Sequence, residues 1–384
     1  MIDTDVVVIG GGVAGASLGY RLAPHRRVVI LEAEAQPGYH TTGRSAALFT
    51  TTYGHPVIRM LTVASRDFLL APPAGFAEVP LLHARPVLWI SRADQAARLA
   101  AALEEVVAAD PSGRAISAEE ALGLCPILDP AYLAGAILEP GGYDIDVNAL
   151  HQGYLAGFRR AGGTIATDAR VTALRRDGAG WQVSAAGETY RCVVVVNAAG
   201  AWADAVAALA GLRPVGLTPK RRTAITFDPP PGLEIGDWPC VLDVDEAFYF
   251  KPDAGRILAS PADETPSAPC DAQPEELDIA IAVDRIETAT SLAVRRIVAK
   301  WAGLRTFAPD KVPVVGMDPD APGFFWLAGQ GGYGIMTSPA LSAVAAGLIL
   351  DGTFSEAVSG PDVTAQALSP ARFTGIDPGM KSSR

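Results

Sequence analysis

Three apolar blocks of the 384-residue chain share one grammar, in which a strand-like run passes directly into small residues and then into a helical pattern. The first is Val6-Val7-Val8-Ile9, followed by Gly10-Gly11-Gly12-Val13-Ala14-Gly15 and the helix-like stretch from Ala16 to Leu22. The second, Arg191 to Val196, leads into Asn197-Ala198-Ala199-Gly200-Ala201-Trp202, and strand-like runs around Arg170–Leu174 and Trp181–Ser184 precede it. The third, Gly323 to Gly329, leads into Gln330-Gly331-Gly332-Tyr333-Gly334-Ile335-Met336-Thr337 and an apolar helix predicted from Ser338 to Leu350. Unbroken apolar runs of this length, bounded by glycine, predict strands buried on both faces. Between the blocks, the pattern predicts a helix over 93–109, a capping box at Ser117-Ala118-Glu119-Glu120, and a Pro- and Gly-studded segment over 126–141. An amphipathic helix over 146–160 closes at Gly162-Gly163, and 227–278, rich in Pro, Asp and aromatics, reads as strands and loops.

The first block is strand, Gly-x-Gly-x-x-Gly, helix. Gly10 permits a tight turn, Gly12 lets backbone approach a pyrophosphate, and Gly15 lets helix and strand pack closely; the helix N-terminus offers N–H donors to phosphates. A second strand, Arg27 to Leu31, ends in Glu32, 20 positions after Gly12, where a carboxylate can accept from ribose hydroxyls. This element alone does not separate NAD from FAD. The loop from Ala35 to Ala47, rich in Gly and small hydroxyl residues, and the two later strand-to-glycine blocks suggest one extended cofactor lying on a domain built from discontinuous segments.

Composition narrows the classes. Hydrophobic residues make up 49% of the chain, enough at this length for two domains. The 31 basic residues are outnumbered by 42 acidic ones and fall in no concentrated patch, which disfavours nucleic-acid binding. Cys125, Cys192, Cys240 and Cys270 lie far apart with no Cys-x-x-Cys pair, so neither a metal site nor a disulfide framework is indicated. The N-terminus lacks the basic and cleavage signals of a secretory peptide, and the apolar stretches are too short or too interrupted for a transmembrane segment, so a cytoplasmic protein is expected.

The fingerprint ending in Glu32, the loop His40-Thr41-Thr42-Gly43-Arg44-Ser45-Ala46-Ala47, the Val196-to-Trp202 turn and the run Gln330 to Ile335 together resemble the D-amino-acid oxidase superfamily of FAD enzymes. Within it the likeness extends to the bacterial FAD-dependent D-arginine dehydrogenases, through Leu150–Tyr154, Pro219–Arg222, Phe248–Tyr249, Lys251–Gly255 and Trp301–Arg305. The resemblance implies an α/β protein with a glutathione-reductase-type Rossmann FAD domain (1–84, 147–205 and 302–384). An interleaved α+β substrate domain on a mixed β-sheet (85–146 and 206–301) accompanies it. It implies FAD, held non-covalently, against Gly10, Gly12, Ala14, Gly15, Glu32, Ala33, Thr41, Thr42, Gly43, Arg44, Ser45, Ala46, Ala47, Leu48, Val171, Ala199, Gly200, Trp202, Gly303, Gly331, Gly332, Tyr333, Gly334, Ile335, Met336 and Thr337.

For the substrate, the resemblance implies a carboxylate clamp of Arg222 and Arg305 with the hydroxyls of Tyr53 and Tyr249, these four being the expected catalytic residues. An arginine fork is suited to gripping a carboxylate. Leu48, Thr50, Val87, Gly332 and Met336 complete the expected substrate-binding set. Leu48 and Val87 stand where those dehydrogenases have a histidine and the glutamate that receives a cationic side chain, and Met336 replaces a glutamine. A guanidinium facing them would be unpaired. The expected reaction is therefore oxidative deamination of D-amino acids, apolar side chains preferred over Arg and Lys, unless another acid such as Glu78 or Asp243 serves the cation. Electrons would pass to a quinone or another acceptor, O2 included. The alternatives are oxidation of secondary amines of the sarcosine, glycine or proline type, or of 2-hydroxy acids, and more distantly a non-catalytic flavoprotein. Tyr53 sits in a loop over 50–56 that could act as a lid. His25 and His151 read as solvated or capping, His83 as a possible pocket residue, and His40 raises covalent flavin attachment, which the resemblance does not support.

Overall fold

The computed structural model describes residues 1–355, 358 and 363–373. Its nucleotide-side sheet has six strands, in the order Thr164–Ala166, Val28–Leu31, Val6–Ile9, Val194–Asn197, Phe324–Ala328 and Val314–Met317. All neighbours are parallel except the last pair. Parallel sheets are covered on both faces, which explains why Val6–Ile9 carries no polar position. Val6 and Val8 pack with Leu18, Leu22, Leu61, Phe158 and Leu341 of the helices Val13–Leu22, Pro56–Leu70, Val147–Arg160 and Gly334–Leu350. Val7 and Ile9 meet Trp181, Val183 and Tyr190 of a small sheet built from Ile2–Asp3, Glu188–Cys192, Gly180–Ala185 and Val171–Asp177.

The second large sheet has ten strands and is mixed: Val87–Ser91 runs parallel to Cys240–Asp243, and the other pairings are antiparallel. Alternation sorts its side chains. Leu88, Ile90, Ile225, Phe227 and Phe250 bury against Ile279, Ala282 and Ile286 of the helix Glu276–Ala289. Residues one position out of phase, among them Val87, Trp89 and Leu242, face the other way, where they pack with Leu48 and Tyr53. A three-stranded sheet of Leu48–Phe49, Tyr143–Ile145 and Leu82–Ala84 carries the chain between the two large sheets.

Local expectations hold in detail. Ser117 and Glu120 form a reciprocal capping box, and the Asp146 carboxylate accepts from Ala149 N at 2.8 Å to start the helix that ends before Gly162, φ +88°. Two boundaries differ from the sequence reading. The last long helix begins at Gly334 rather than Ser338, with Pro339 inside it. Proline leaves the Ile335 carbonyl without its usual donor, and the Ser338 hydroxyl supplies one at 3.0 Å, so the helix continues through a residue expected only near its start. The expected division at 302 falls inside the strand Ala299–Phe307, which belongs to the ten-stranded sheet. Among the described residues no helix is long and apolar enough to cross a membrane.

A candidate cofactor and substrate cavity

A cavity of about 390 Å³ runs between the two large sheets, from Glu32 past the first glycine turn to Arg222, Tyr249 and Arg305. At the nucleotide end Gly10 has φ +107°, and a Cβ there would lie 2.5 Å from the Ala198 carbonyl. A Cβ at Gly15 would lie 1.9 Å from the Gly10 carbonyl, so this glycine shapes the turn from behind without lining the cavity. Glu32, almost fully buried, accepts from Gly11 N at 2.8 Å and Glu34 N at 3.0 Å; its carboxylate braces the turn and still faces the cavity. Thr42 Oγ1 accepts from Val13 N at 3.0 Å and so occupies one of the free amides at the helix start.

The loop over 38–46 forms the middle wall. Arg44 donates to the carbonyls of Ala272 and Ala302 and pairs with Asp271, while Trp301 Nε1 donates to the Arg44 carbonyl at 3.0 Å. Thr41, Arg44, Ser45 and Ala46 line the cavity; Gly43 does not, because its place is against the Gly38 carbonyl, 2.7 Å from where a Cβ would stand. Ala33, Val171, Ala199, Gly200, Trp202, Gly303, Gly331, Gly334 and Ile335 also line it. Among the described residues two buried side-chain polar atoms lack a hydrogen-bond partner, His40 Nδ1 and Thr306 Oγ1, and both residues line this cavity. Buried polar groups are otherwise almost always paired, so these orphans point to an extended polar ligand on this wall. A cradle of backbone, a helix N-terminus and a facing carboxylate fit a dinucleotide such as FAD.

At the other end the ten-stranded sheet presents its cations. Lys220 lies opposite Arg305 and Arg222 opposite Gly303 across the antiparallel pair, so Arg222 and Arg305 are diagonal neighbours. Arg221, on the other face, is spent on Asp278 and Glu275. Arg222 donates to the Asp263 carbonyl at 2.8 Å and reaches Glu264 at 3.4 Å, whereas Arg305 has no carboxylate partner among the described residues. Burial alone would lower the Arg305 guanidinium, but the surrounding hydroxyls of Tyr53, Tyr249 and Tyr333 hold it above its ordinary value. Gly332 packs against it: a Cβ there would lie 2.9 Å from Arg305 Cζ and would push the guanidinium aside. Arg222, Tyr249, Arg305 and Gly332 all line the cavity.

The remaining expected contacts lie elsewhere. Tyr53, Leu48, Thr50, Val87 and Met336 are not on the cavity wall, nor are Ala47, Tyr333 and Thr337. Val87 is fully buried among Trp89, Ile137 and Val244, and Tyr53 packs edge-on against Tyr333 with ring centroids 5.2 Å apart. The antiparallel register of the strand pair puts Glu139 opposite Val87, 52 positions away, an acid the linear sequence did not reveal. Glu78 is exposed, and Asp243 is buried against Gln95 and Tyr132, so neither faces the clamp. His151 is buried and bonded to the Gly11 carbonyl at 2.8 Å rather than solvated, and His83 is exposed on its strand rather than in the pocket. Ala224, two positions beyond Arg222 and so on the same face, joins the wall and was legible from strand alternation; Gln330 and Thr306 carried no such signal.

A family model described as DAO, FAD dependent oxidoreductase, matches residues 5–348. The chain belongs to this family of FAD-dependent oxidoreductases. Its relatives include a glycine oxidase of Geobacillus kaustophilus, 26% identical over 90% of this chain and 92% of the relative. Mitochondrial dimethylglycine dehydrogenase of Mus musculus is 26% identical over 91% of this chain, which spans 42% of that longer protein. Among solved structures, the glycine oxidase from Geobacillus kaustophilus superposes with a TM-score of 0.80 at 23% identity, covering 93% of this chain and 99% of the other. Iminodiacetate oxidase from Chelativorans sp. BNC1 gives 0.80 at 22% identity, covering 95% and 98%. The likeness to the D-arginine dehydrogenases is thus narrower than the family: these relatives are named for glycine or N-substituted glycines.

Proposed function

We propose that this FAD-dependent oxidoreductase oxidises glycine or a small N-substituted glycine at the carbon bearing the amine, giving an imine that water hydrolyses. The observation that carries this reading is that Arg222, Arg305 and Tyr249 line the cavity beside the glycine cradle, while Leu48, Thr50 and Val87 do not, Leu48 and Val87 packing instead in an apolar cluster with Tyr53. The clamp therefore faces space for a carboxylate and a short chain. FAD, when bound, accepts the hydride equivalent. The residues of the chain fix geometry: Arg305 holds the carboxylate, Tyr249 directs it through its hydroxyl, Tyr53 acts from outside the cavity through Arg305, and Gly332 keeps the neighbouring backbone out of the way. No side chain is assigned as base; the amine must be neutral when its carbon is oxidised, so kcat/KM rises with pH through the substrate amine. FAD is held without a covalent bond, and acid precipitation releases it into the supernatant. The sheet contacts support two interleaved units, one nucleotide-binding and one substrate-binding.

A second reading, D-amino acids with short apolar side chains, is favoured by the apolar cluster of Leu48, Val87, Trp89 and Leu242 behind Tyr53, which such side chains would reach if Tyr53 moved from Tyr333. Anaerobic flavin reduction by glycine, sarcosine, N,N-dimethylglycine, iminodiacetate, proline, D-alanine, D-leucine, D-arginine and 2-hydroxy acids separates the readings. Fastest reduction by D-leucine would favour the second; fastest reduction by D-arginine or a 2-hydroxy acid would overturn both.

A further inference from the structure

Glu139 ends the strand Gly135–Glu139, is 1% exposed, and has no Lys, Arg or His partner among the described residues. A buried carboxylate without a cation is costly unless donors converge on it. Here they do, and two of the three come from one loop. Thr50 Oγ1 donates to one carboxylate oxygen; Thr52 Oγ1, at 2.8 Å, and Trp89 Nε1, at 3.4 Å, donate to the other. Each threonine hydroxyl has a single proton, so with both protons given to Glu139 the Thr50 oxygen is left to accept from Thr52 N at 3.2 Å, which closes the turn. The next residue is Tyr53, packed on Tyr333 and one of the three tyrosines that surround Arg305. Gly54 follows with φ +91°, and a Cβ there would lie 2.9 Å from the Tyr333 ring, while its carbonyl accepts from Arg59 Nε at 2.9 Å. Glu139 thus anchors the loop on one side and Arg59 on the other.

We propose that Glu139, although outside the cavity, is a positioning residue that fixes the 50–54 loop and thereby holds Tyr53 beside Arg305, so that affinity for a carboxylate depends on it. The inference rests on reading Arg305 as the carboxylate anchor. Glutamine at 139 keeps the volume but removes the charge that strengthens all three bonds, and the bond to Thr50 must reverse, with Thr50 Oγ1 accepting from the amide.

The test uses the FAD-loaded enzyme and acetate as probe, read by the flavin difference spectrum, in Glu139→Gln, Thr52→Val, Tyr53→Phe, Arg305→Ala and the double variant Glu139→Gln/Tyr53→Phe. Expected is a rise in acetate Kd of about 10-fold in Glu139→Gln and Thr52→Val with FAD content unchanged, and no further rise when Glu139→Gln is added to Tyr53→Phe, since coupled residues do not add. With a turned-over amine, KM rises more than kcat falls. Unchanged acetate affinity in both Glu139→Gln and Thr52→Val, while Arg305→Ala loses it, overturns the inference, as does full additivity with Tyr53→Phe. Unchanged affinity in Arg305→Ala overturns instead the clamp on which it rests. If Glu139→Gln fails to fold, Thr52→Val and the Tyr53 pairing made with it decide the matter.

Discussion

At the residue scale, three arginines of one strand pair have different partners. Arg221 and Arg222 are adjacent in sequence, yet strand alternation sends the first to Asp278 and the second to the cavity, and Arg305 has no carboxylate partner among the described residues. Truncating one partner of a desolvated charge pair costs about 2–5 kcal/mol, so Arg305→Ala is expected to lower kcat/KM by roughly 100-fold or more without loss of FAD, checked by steady-state kinetics and flavin content. Gly332→Ala places a methyl group against the same guanidinium. Overpacking of this kind costs about 1–3 kcal/mol, and the expected outcome is a raised KM with the flavin spectrum retained. Arg222, Arg305 and Tyr249 were legible in the sequence because motifs of the family flank them. Glu139 was not: only pairing of the strands Val87–Ser91 and Gly135–Glu139 brings it across from Val87 and under Thr50 and Thr52. Val87 taken alone predicts an apolar wall, and the strand register sets Glu139 opposite it.

At the element scale, the glycine turns were the most readable part of the molecule, since φ +107° at Gly10 and the closeness of Gly15 to the Gly10 carbonyl leave no room for other residues. The start of the last long helix was less readable. Glycine and proline both argued for a loop before Ser338, but the Ser338 hydroxyl satisfies the Ile335 carbonyl that Pro339 cannot, and Tyr154 in turn bonds Ser338 at 3.2 Å. Ser338→Ala is accordingly expected to destabilise the protein by about 1–3 kcal/mol, the penalty for an unsatisfied buried carbonyl, measured as a lower chemical-denaturation midpoint. The same helix begins directly after the glycines that face the clamp, so fraying of its first turn would loosen Gly332 and Arg305 together.

At the scale of the whole molecule, two sheets enclose one cavity, and segments distant in sequence lock together around it. His151, from the helix that follows the ten-stranded sheet's first strands, reaches the Gly11 carbonyl and packs where a Cβ of Gly38 would lie 2.8 Å away. Burial lowers its pKa from the ordinary 6.5, only partly opposed by the Gly11 bond. Because the folded protein takes up the proton less readily than the unfolded chain, the contribution of His151 to stability is full above about pH 6.5 and is lost progressively as pH falls toward the lower folded value. Denaturation midpoints between neutral and mildly acidic pH should fall in the wild type and fall less steeply in His151→Gln. That segments distant in sequence meet around the cavity was legible from the scattered glycine blocks; that the strand Ala299–Phe307 contributes Gly303 to the cavity wall while pairing in the ten-stranded sheet was not. The cavity is lined by Arg222, Arg305 and Tyr249 and not by Val87 or Leu48, which no linear pattern could show. Anaerobic reduction of the bound flavin, followed at a single saturating concentration of each amino acid, is the most direct measurement of this account: glycine and sarcosine are expected to bleach the flavin fastest, and bleaching by D-arginine ahead of both would contradict it.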